Sequence, residues 1–346
     1  MRLLVYLVVL AGAGALPQPA ESSRLDLPAE LQQLLDGGGW DGAPAEFRVI
    51  ILSHLADGCA GQGLAHPARH DAAVACVDQA LARARALRKG PLAQVPDALF
   101  LEHLNLIYGA RDRLGACADA AAHLALTRQV VAMSLGDPTG LAPSYGHLPD
   151  RWPADQSALL ASVARYDAGH GTALLKPPLD AFRATLSRKG MQPGGLPRSE
   201  VTGVRASSKY PRGCAQSFIS RYLAEADPAL ASTWWSAYRK SYLTRLGTVV
   251  GFREWPPGVD LSGDADSGPI VLGIGVSASA LAIAAARAQG DEALATQLEA
   301  SADAVGLLAG PLVRMQLPQA IRFQARWQPV LPLPATRASR FGRGPG

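Results

Sequence analysis

Apolar residues recur at helical spacing along most of the chain, and the strict alternation that is typical of strands is nearly absent. Clusters of Gly, Pro and Asp interrupt this pattern and mark loops of very unequal length. The pattern predicts an all-α protein. The predicted helices span residues 28–35, 45–57, 67–89, 97–114, 119–135, 154–168, 177–189, 213–226, 228–246, 268–289 and 291–307.

The predicted helices are of two kinds. Residues 268–289 and much of 97–114 are apolar nearly all round, which is typical of buried helices, whereas 67–89 carries arginines along one face. Because an amphipathic helix covers a buried one, we expect hairpins of inner and outer helices that close into a toroid, with the long loops at one end. A stacked solenoid is the competing architecture, but the sequence shows no fixed repeat period.

The first residues have the character of an export signal. Met1 and Arg2 precede the apolar run LLVYLVVLAGAGAL, which is shorter than the roughly 20 residues of a membrane span. We therefore predict a signal peptide over residues 1–20 and a periplasmic or secreted protein, with an N-terminal membrane anchor as the alternative. A helical domain over 25–325 and a basic, disordered tail over 326–346 are expected to follow.

Charge distribution and cysteine spacing argue against a nucleic-acid partner and against a metal site. The net charge of +4 comes from dispersed arginines and the tail, without interleaved aromatic residues, so no nucleic-acid partner is expected. The four cysteines lack metal-ligand spacing, so no metal site is expected. In an exported protein they could form one or two disulfides or remain buried thiols, and the sequence leaves the pairing open. They are Cys59, Cys76, Cys117 and Cys214.

Six blocks of sequence carry a family resemblance. HLNLIYG, at residues 103–109, resembles a stretch of the linalool dehydratase-isomerase family. Further blocks resemble the same family in the same order, so the resemblance spans about residues 45–295. They begin with FRVIILSHLADGC and continue at 157–172, 214–243, Arg253-Glu254 and 263–291.

The resemblance implies an (α/α)6 barrel and an exported protein. It also implies a ring-shaped homo-oligomer whose pockets involve neighbouring subunits. The family's reaction is the cofactor-free dehydration and isomerisation of a monoterpene alcohol in an apolar pocket. We accordingly expect a small-molecule substrate, no cofactor, and no membrane contact beyond the signal segment.

Family roles transfer to few residues. His103 lies on a family catalytic position, on a helix face that it shares with Phe100 and Ile107. Asp155 stands where the family's enzyme has a catalytic cysteine, and the second catalytic cysteine falls near Gly146. In the family, an aspartate and a tyrosine near the N-terminus of one subunit contribute to the pocket of the neighbouring subunit. This sequence has no counterpart of either residue before residue 45. The resemblance therefore implies the fold and His103, but not the specific reaction.

Asp155 and His103 form the candidate acid/base pair. Desolvation raises the pKa of a buried carboxyl group, and reaching about 7 requires roughly 4 kcal/mol of destabilisation of the anion. Asp155 also opens a helix, whose N-terminus favours the anion. We therefore expect it to act as a base or a hydrogen-bonding anchor.

The long loops supply further candidates for lining or supporting the pocket. At Cys214, the helix N-terminus and nearby Arg212 should lower the pKa of the thiol, although simple packing of this cysteine is the favoured interpretation. In the loop GDADSGP, the acids should cap a helix that starts near Ser267 or hydrogen-bond the loop N–H groups beside the pocket, and the spacing does not match a calcium-binding EF-hand. The candidates are Tyr145, Trp152, Cys214, Arg253, Glu254, Asp264 and Asp266.

The favoured hypothesis is a cofactor-independent lyase or isomerase that acts on a small, largely apolar alcohol. Two alternatives stay open. Asp155, Glu254, Asp264 and Asp266 could serve a glycoside-cleaving enzyme of six-hairpin shape, with aromatic residues stacking on sugar rings. A barrel without the family thiols could instead be a non-catalytic binding module.

Overall fold

The structure is a computed structural model that describes residues 22–87, 97–115, 119–146, 148–202, 209–309 and 315–331, with 305–309 described as backbone alone. The predicted signal peptide and Cys117 lie outside these residues. Within them, no helix combines the length and the apolar character needed to cross a bilayer.

The described residues contain twelve α-helices and two short antiparallel hairpins, so the all-α prediction is confirmed. The helices are α1 (Ala29–Leu35), α2 (Ala45–Ala65), α3 (His70–Leu87), α4 (Ala98–Arg113), α5 (Ala120–Gly136), α6 (Pro153–His170), α7 (Lys176–Thr185), α8 (Gly213–Ala226), α9 (Pro228–Tyr242), α10 (Val276–Ala288), α11 (Glu292–Ala309) and α12 (Gln316–Arg326). The strands are β1 (Leu243–Leu246), β2 (Val249–Phe252), β3 (Ile270–Val271) and β4 (Ile274–Gly275).

The even-numbered helices contact one another in sequence order. α2 contacts α4, and the contacts continue through α6, α8 and α10 to α12, which contacts α2 again. Each odd-numbered helix packs against one or two members of this cycle. The apolar α4 and α10 belong to the cycle, whereas the amphipathic α3 packs against it. This division agrees with the two kinds of helix that the sequence indicates.

Close approach between α2 and α12 depends on glycine. A Cβ atom on Gly58 would lie 2.4 Å from the ring of Phe323, and one on Gly61 would lie 2.2 Å from the carbonyl oxygen of Trp327. Real Cβ atoms do not tolerate such distances. The two glycines therefore allow the last helix to pack directly on the first helix of the cycle.

A buried ion network joins α2, α6 and α8. The guanidinium of Arg165 binds the carboxylate of Asp57 at 2.6 and 2.9 Å and that of Glu225 at 2.7 Å twice. Arg221 donates to Glu225 at 2.6 Å. All four side chains are at least nine-tenths buried. Each charge has a partner, as buried charges require.

Three predicted boundaries need correction. The helix predicted over 228–246 ends at Tyr242, and β1 follows. The helix predicted from 268 begins only at Val276, because Leu272 and Gly273 take positive φ and turn the chain into the β3–β4 hairpin. α12 was not predicted, since its apolar positions are few and Pro318 lies in its first turn. Proline is tolerated there because the first N–H groups have no partner within the helix.

The tail boundary also moves. Residues 326–331, which were predicted to belong to a disordered tail, are ordered: the backbone N–H of Leu331 donates to Ala288, and Trp327 packs edge-on against His66. The rest of the predicted tail lies outside the described residues.

A disulfide joins Cys59 on α2 to Cys76 on α3, and Cys214 is a free, buried thiol.

Candidate active site

A cavity of about 250 Å³ lies where the N-terminal halves of all six even-numbered helices meet. Its apolar wall includes Phe47, Ile50, Leu99, Phe218, Leu281 and Ile321. The first turn of α6 supplies Asp155 and that of α8 supplies Cys214, while His103 comes from the second turn of α4. The cavity thus combines a hydrophobic wall with a few convergent polar groups, which is typical of small-molecule sites.

His103 is fully buried, and Ser53 is the neighbour of its Nδ1. The hydroxyl oxygen of Ser53 lies 2.9 Å from the carbonyl oxygen of Ile50 and 2.6 Å from Nδ1 of His103. In the tautomer that we assign, the hydroxyl donates its proton to Ile50 and its oxygen accepts from Nδ1–H. The other nitrogen, Nε2, then carries a lone pair, and it has no partner among the described residues. Burial lowers the pKa of His103 to about 3, so the ring is neutral.

Asp155 supplies the carboxyl group of the candidate acid/base pair. Burial raises the pKa of Asp155 to about 7, the hydroxyl of Ser144 lowers it, and the charge of Asp266 raises it further. A pKa raised to about 7 makes Asp155 available as an acid as well as a base near neutral pH. The expectation that it acts as a base or a hydrogen-bonding anchor stays a prediction.

The sequence analysis did not single out two residues of this region, Glu102 and His54. Glu102 is buried beside Asp155, its Oε1 has no partner among the described residues, and burial followed by the charge of Asp155 raises its pKa well above the usual range. His54 also lines the cavity, and burial lowers its pKa to about 4. The only sequence signals were the place of His54 inside the block FRVIILSHLADGC and that of Glu102 directly before HLNLIYG.

The tautomer of His54 is set from α12. The side-chain amide of Gln324 donates to Asp57 at 2.9 Å, which turns its carbonyl oxygen towards His54. Nδ1–H of His54 therefore donates to that oxygen. The buried ion network thus extends through Gln324 to the cavity and fixes the orientation of a lining histidine.

Cys214 is a buried thiol, in line with the favoured prediction of a packing residue, but the direction of its pKa shift differs from the expected one. Its thiol donates to Glu254 at 3.2 Å and its backbone N–H donates to the same carboxylate at 3.1 Å. Burial and the adjacent Glu254 raise the pKa of the thiol well above the usual range, although Arg212 and the helix N-terminus were expected to lower it. Cys214 is therefore a neutral thiol on the cavity wall.

Glu254 and Asp264 are held by Arg212. The guanidinium donates to Glu254 at 3.0 Å and to both oxygens of Asp264 at 2.6 and 2.8 Å. Asp264 also accepts from the backbone N–H groups of Asp266 and Ser267, which is the second of the two roles expected for this loop. No helix starts at Ser267, since α10 begins at Val276. These two acids are supporting groups.

The aromatic candidates and Asp266 also line the cavity. The rings of Tyr145 and Trp152 meet edge to face at 5.6 Å. Burial raises the pKa of Tyr145, with the charge of Asp155 as the next cause, so its hydroxyl remains a donor. Arg253 is different, since it lines a separate cavity with Trp255 and Gly273.

One group of three potential metal ligands occurs among the described residues, and it lies away from this cavity. It consists of Asp112, His123 and His170.

Comparison of the chain with protein-family models and with curated protein sequences gives no match. The chemistry of the cavity therefore carries the functional argument.

Proposed function

We propose that the twelve helices form an (α/α)6 barrel, with the even-numbered helices inside and the odd-numbered helices outside. The cycle of contacts from α2 to α12 and back supports this architecture. The location of the cavity at the N-terminal halves of all six even-numbered helices supports it as well, because inner helices of such a barrel run in the same direction.

We further propose that the protein is a cofactor-independent lyase or isomerase that acts on a small, largely apolar allylic alcohol. The observation that carries this proposal is a pair of groups in one largely apolar cavity. One is a carboxyl group whose pKa is raised to about 7, and the other is a neutral imidazole whose Nε2 has no partner among the described residues. Dehydration needs an acid at the hydroxyl group and a base at carbon, and these two groups supply them.

In the proposed first step, the carboxylic acid of Asp155 protonates the substrate hydroxyl. The C–O bond breaks, its electron pair leaves with water, and an allylic cation remains beside the new Asp155 carboxylate. The hydroxyl of Tyr145, which stays protonated, can donate a hydrogen bond to the departing oxygen.

In the second step, Nε2 of His103 takes a proton from the carbon next to the cation, and the C–H electron pair forms the alkene. A pKa near 3 makes the resting imidazole a weak base, but the carboxylate formed in the first step raises its basicity. The imidazolium then returns its proton to Asp155, which restores both groups. Alternatively, water adds to the cation at the other allylic carbon and loses a proton to the Asp155 carboxylate, which gives the isomerised alcohol and restores the acid.

The rival functions rest on other features of the cavity. Glycoside cleavage needs two carboxyl groups at the site. Arg212 binds Asp264, and Glu254 is fully buried behind Cys214, so two cavity-lining carboxyl groups stay available, those of Asp155 and Asp266. The largely apolar wall favours an apolar alcohol over a sugar, whose ring carries hydroxyl groups on most of its carbons. A purely structural role is disfavoured by the cavity itself. A non-catalytic binding module remains the alternative that only an activity measurement separates.

Export and assembly belong to the same proposal. The disulfide between Cys59 and Cys76 supports an oxidising compartment, where such bonds persist. The ring-shaped homo-oligomer implied by the family resemblance stays a prediction, and sedimentation of the purified protein would test it.

The proposal is tested by anaerobic incubation of the purified protein with a panel of tertiary and primary allylic alcohols, followed by headspace gas chromatography. Asp155→Asn and His103→Gln remove proton transfer while keeping side-chain volume. His70→Gln and Asp71→Asn are matched controls, because both residues lie at the start of α3, outside the cavity.

We expect an alkene or an isomerised alcohol from the wild type and from both controls, and a loss of at least a hundredfold in rate for the two site variants. Absence of turnover across the panel with saturable binding of the alcohols would favour the binding module. Turnover that survives in Asp155→Asn would refute the assigned acid.

A further inference from the structure

A cluster of two histidines and one aspartate lies away from the cavity. Asp112 is close to the C-terminal end of α4, His170 ends α6, and His123 lies in the first turn of α5. Asp112 is nine residues beyond His103 on the same helix, about 14 Å along its axis. The cluster is therefore separate from the proposed reaction.

The donor atoms of the cluster converge on one point. Nδ1 of His123 and Nε2 of His170 each lie 2.8 Å from the same carboxylate oxygen, Oδ2 of Asp112. All three ligand atoms lie within 4.8 Å of one another. Tetrahedral zinc with bonds of about 2.0 to 2.1 Å separates its ligand atoms by roughly 3.3 Å. Small side-chain movements would therefore make room for an ion.

The rings are held in place before any ion binds. His123 stacks on Tyr108 with ring centroids 5.1 Å apart, and His170 stacks on Tyr166 at 4.2 Å. The side chains of His123 and Asp112 are 0% and 7% exposed, whereas that of His170 is 29% exposed. The cluster is thus rigid on its inner side and open to solvent at His170, where an ion could enter and keep a water ligand.

The arrangement of the cluster suits a cation. The carboxylate of Asp112 lies between two imidazole rings, and a ring nitrogen of each reaches the same carboxylate oxygen. On coordination, each imidazole uses the nitrogen that now faces Asp112, and its proton moves to the other ring nitrogen.

We propose that Asp112, His123 and His170 bind one divalent transition-metal ion, with Zn²⁺ as the best fit. Two imidazoles and one carboxylate form a ligand set that zinc accepts, and three protein ligands leave a fourth position for water. This site was not expected from the sequence, because the search for metal-ligand spacing rested on cysteines, and these three residues come from three different helices.

The test is a titration of tag-free, chelator-treated protein with ZnCl₂ by isothermal calorimetry, with Co²⁺ absorption as a second readout of tetrahedral coordination. His170→Ala is the primary variant, because its side chain is partly exposed and its removal should leave the fold intact, which circular dichroism would verify. Asp112→Asn is the second variant, and His70→Ala is the matched control for loss of a histidine.

We expect one Zn²⁺ per chain, at least a tenfold loss of affinity in His170→Ala and Asp112→Asn, and unchanged affinity in His70→Ala. Absence of saturable binding to the wild type would overturn the proposal. Equal affinity in the folded His170→Ala variant would also overturn it, because the ion would then bind elsewhere.

Discussion

Replacement of Asp155 by Asn should change how the stability of the protein depends on pH. The pKa of Asp155 is about 7 in the folded protein, against 3.8 for the unperturbed group. A raised pKa means that the unfolded chain releases this proton more readily than the folded protein does. The contribution of Asp155 to stability is therefore fully present below about pH 4 and is lost as the pH rises to about 7.

The magnitude follows from the two pKa values. One pKa unit corresponds to about 1.4 kcal/mol, so ionisation of Asp155 costs the folded state at most about 4 kcal/mol at alkaline pH. Roughly half of this loss occurs below about pH 5.5 and half between about pH 5.5 and 8.5. Asparagine has no such titration. The stability of Asp155→Asn relative to the wild type should accordingly improve by about 2 kcal/mol between those two pH values.

Chemical denaturation of the wild type and Asp155→Asn at about pH 5.5 and 8.5 measures this change in relative stability. Asp71→Asn is the control. Its stability relative to the wild type should be the same at the two pH values. Other titrating groups are shared by the variant and the wild type, so most of their effects cancel. A pH-independent difference between Asp155→Asn and the wild type would refute the view that desolvation raises the pKa of Asp155.

Three further changes test other parts of the account. Ser53→Ala should cost about 1 to 3 kcal/mol and lower turnover, because Nδ1–H of His103 loses its acceptor; unchanged turnover would contradict the assigned tautomer. Arg165→Met should cost about 3 to 5 kcal/mol in urea unfolding, since two buried carboxylates lose their partner; a cost below about 1 kcal/mol would contradict a stabilising network. Cys76→Ser should cost about 3 kcal/mol by opening a disulfide that spans 17 residues; equal stability of the variant and the oxidised wild type would contradict this.

Helices were predictable where Gly and Pro residues marked the same ends as the helical spacing of apolar residues. Helix α8 occupies the predicted residues 213–226, because Gly213 and Pro228 bracket a clear apolar pattern. The start of α10 was misjudged, since PIVLGIGV is apolar throughout and periodicity cannot separate a short hairpin from a helix. α12 was missed although Leu317, Ala320 and Ile321 recur at helical spacing, because Pro318 among them is a typical signal of an interrupted helix.

The sequence predicted which residues lie at the site but not the protonation chemistry of each. Seven of the nine candidates line one cavity, and Glu254 supports it from behind. Arg253 does not, because successive residues of the extended chain after β2 point in opposite directions. The direction of the Cys214 pKa was wrong, since the sequence could not place Glu254 against the thiol.

The most direct test of the central claim is the pH dependence of alkene formation from an allylic alcohol, measured as kcat/KM between about pH 5 and 9. With Asp155 as the acid, the rate should fall about tenfold per pH unit above about 7, and Asp155→Asn should lack this activity. A rate that rises with pH, or an absence of alkene at every pH, would contradict the account.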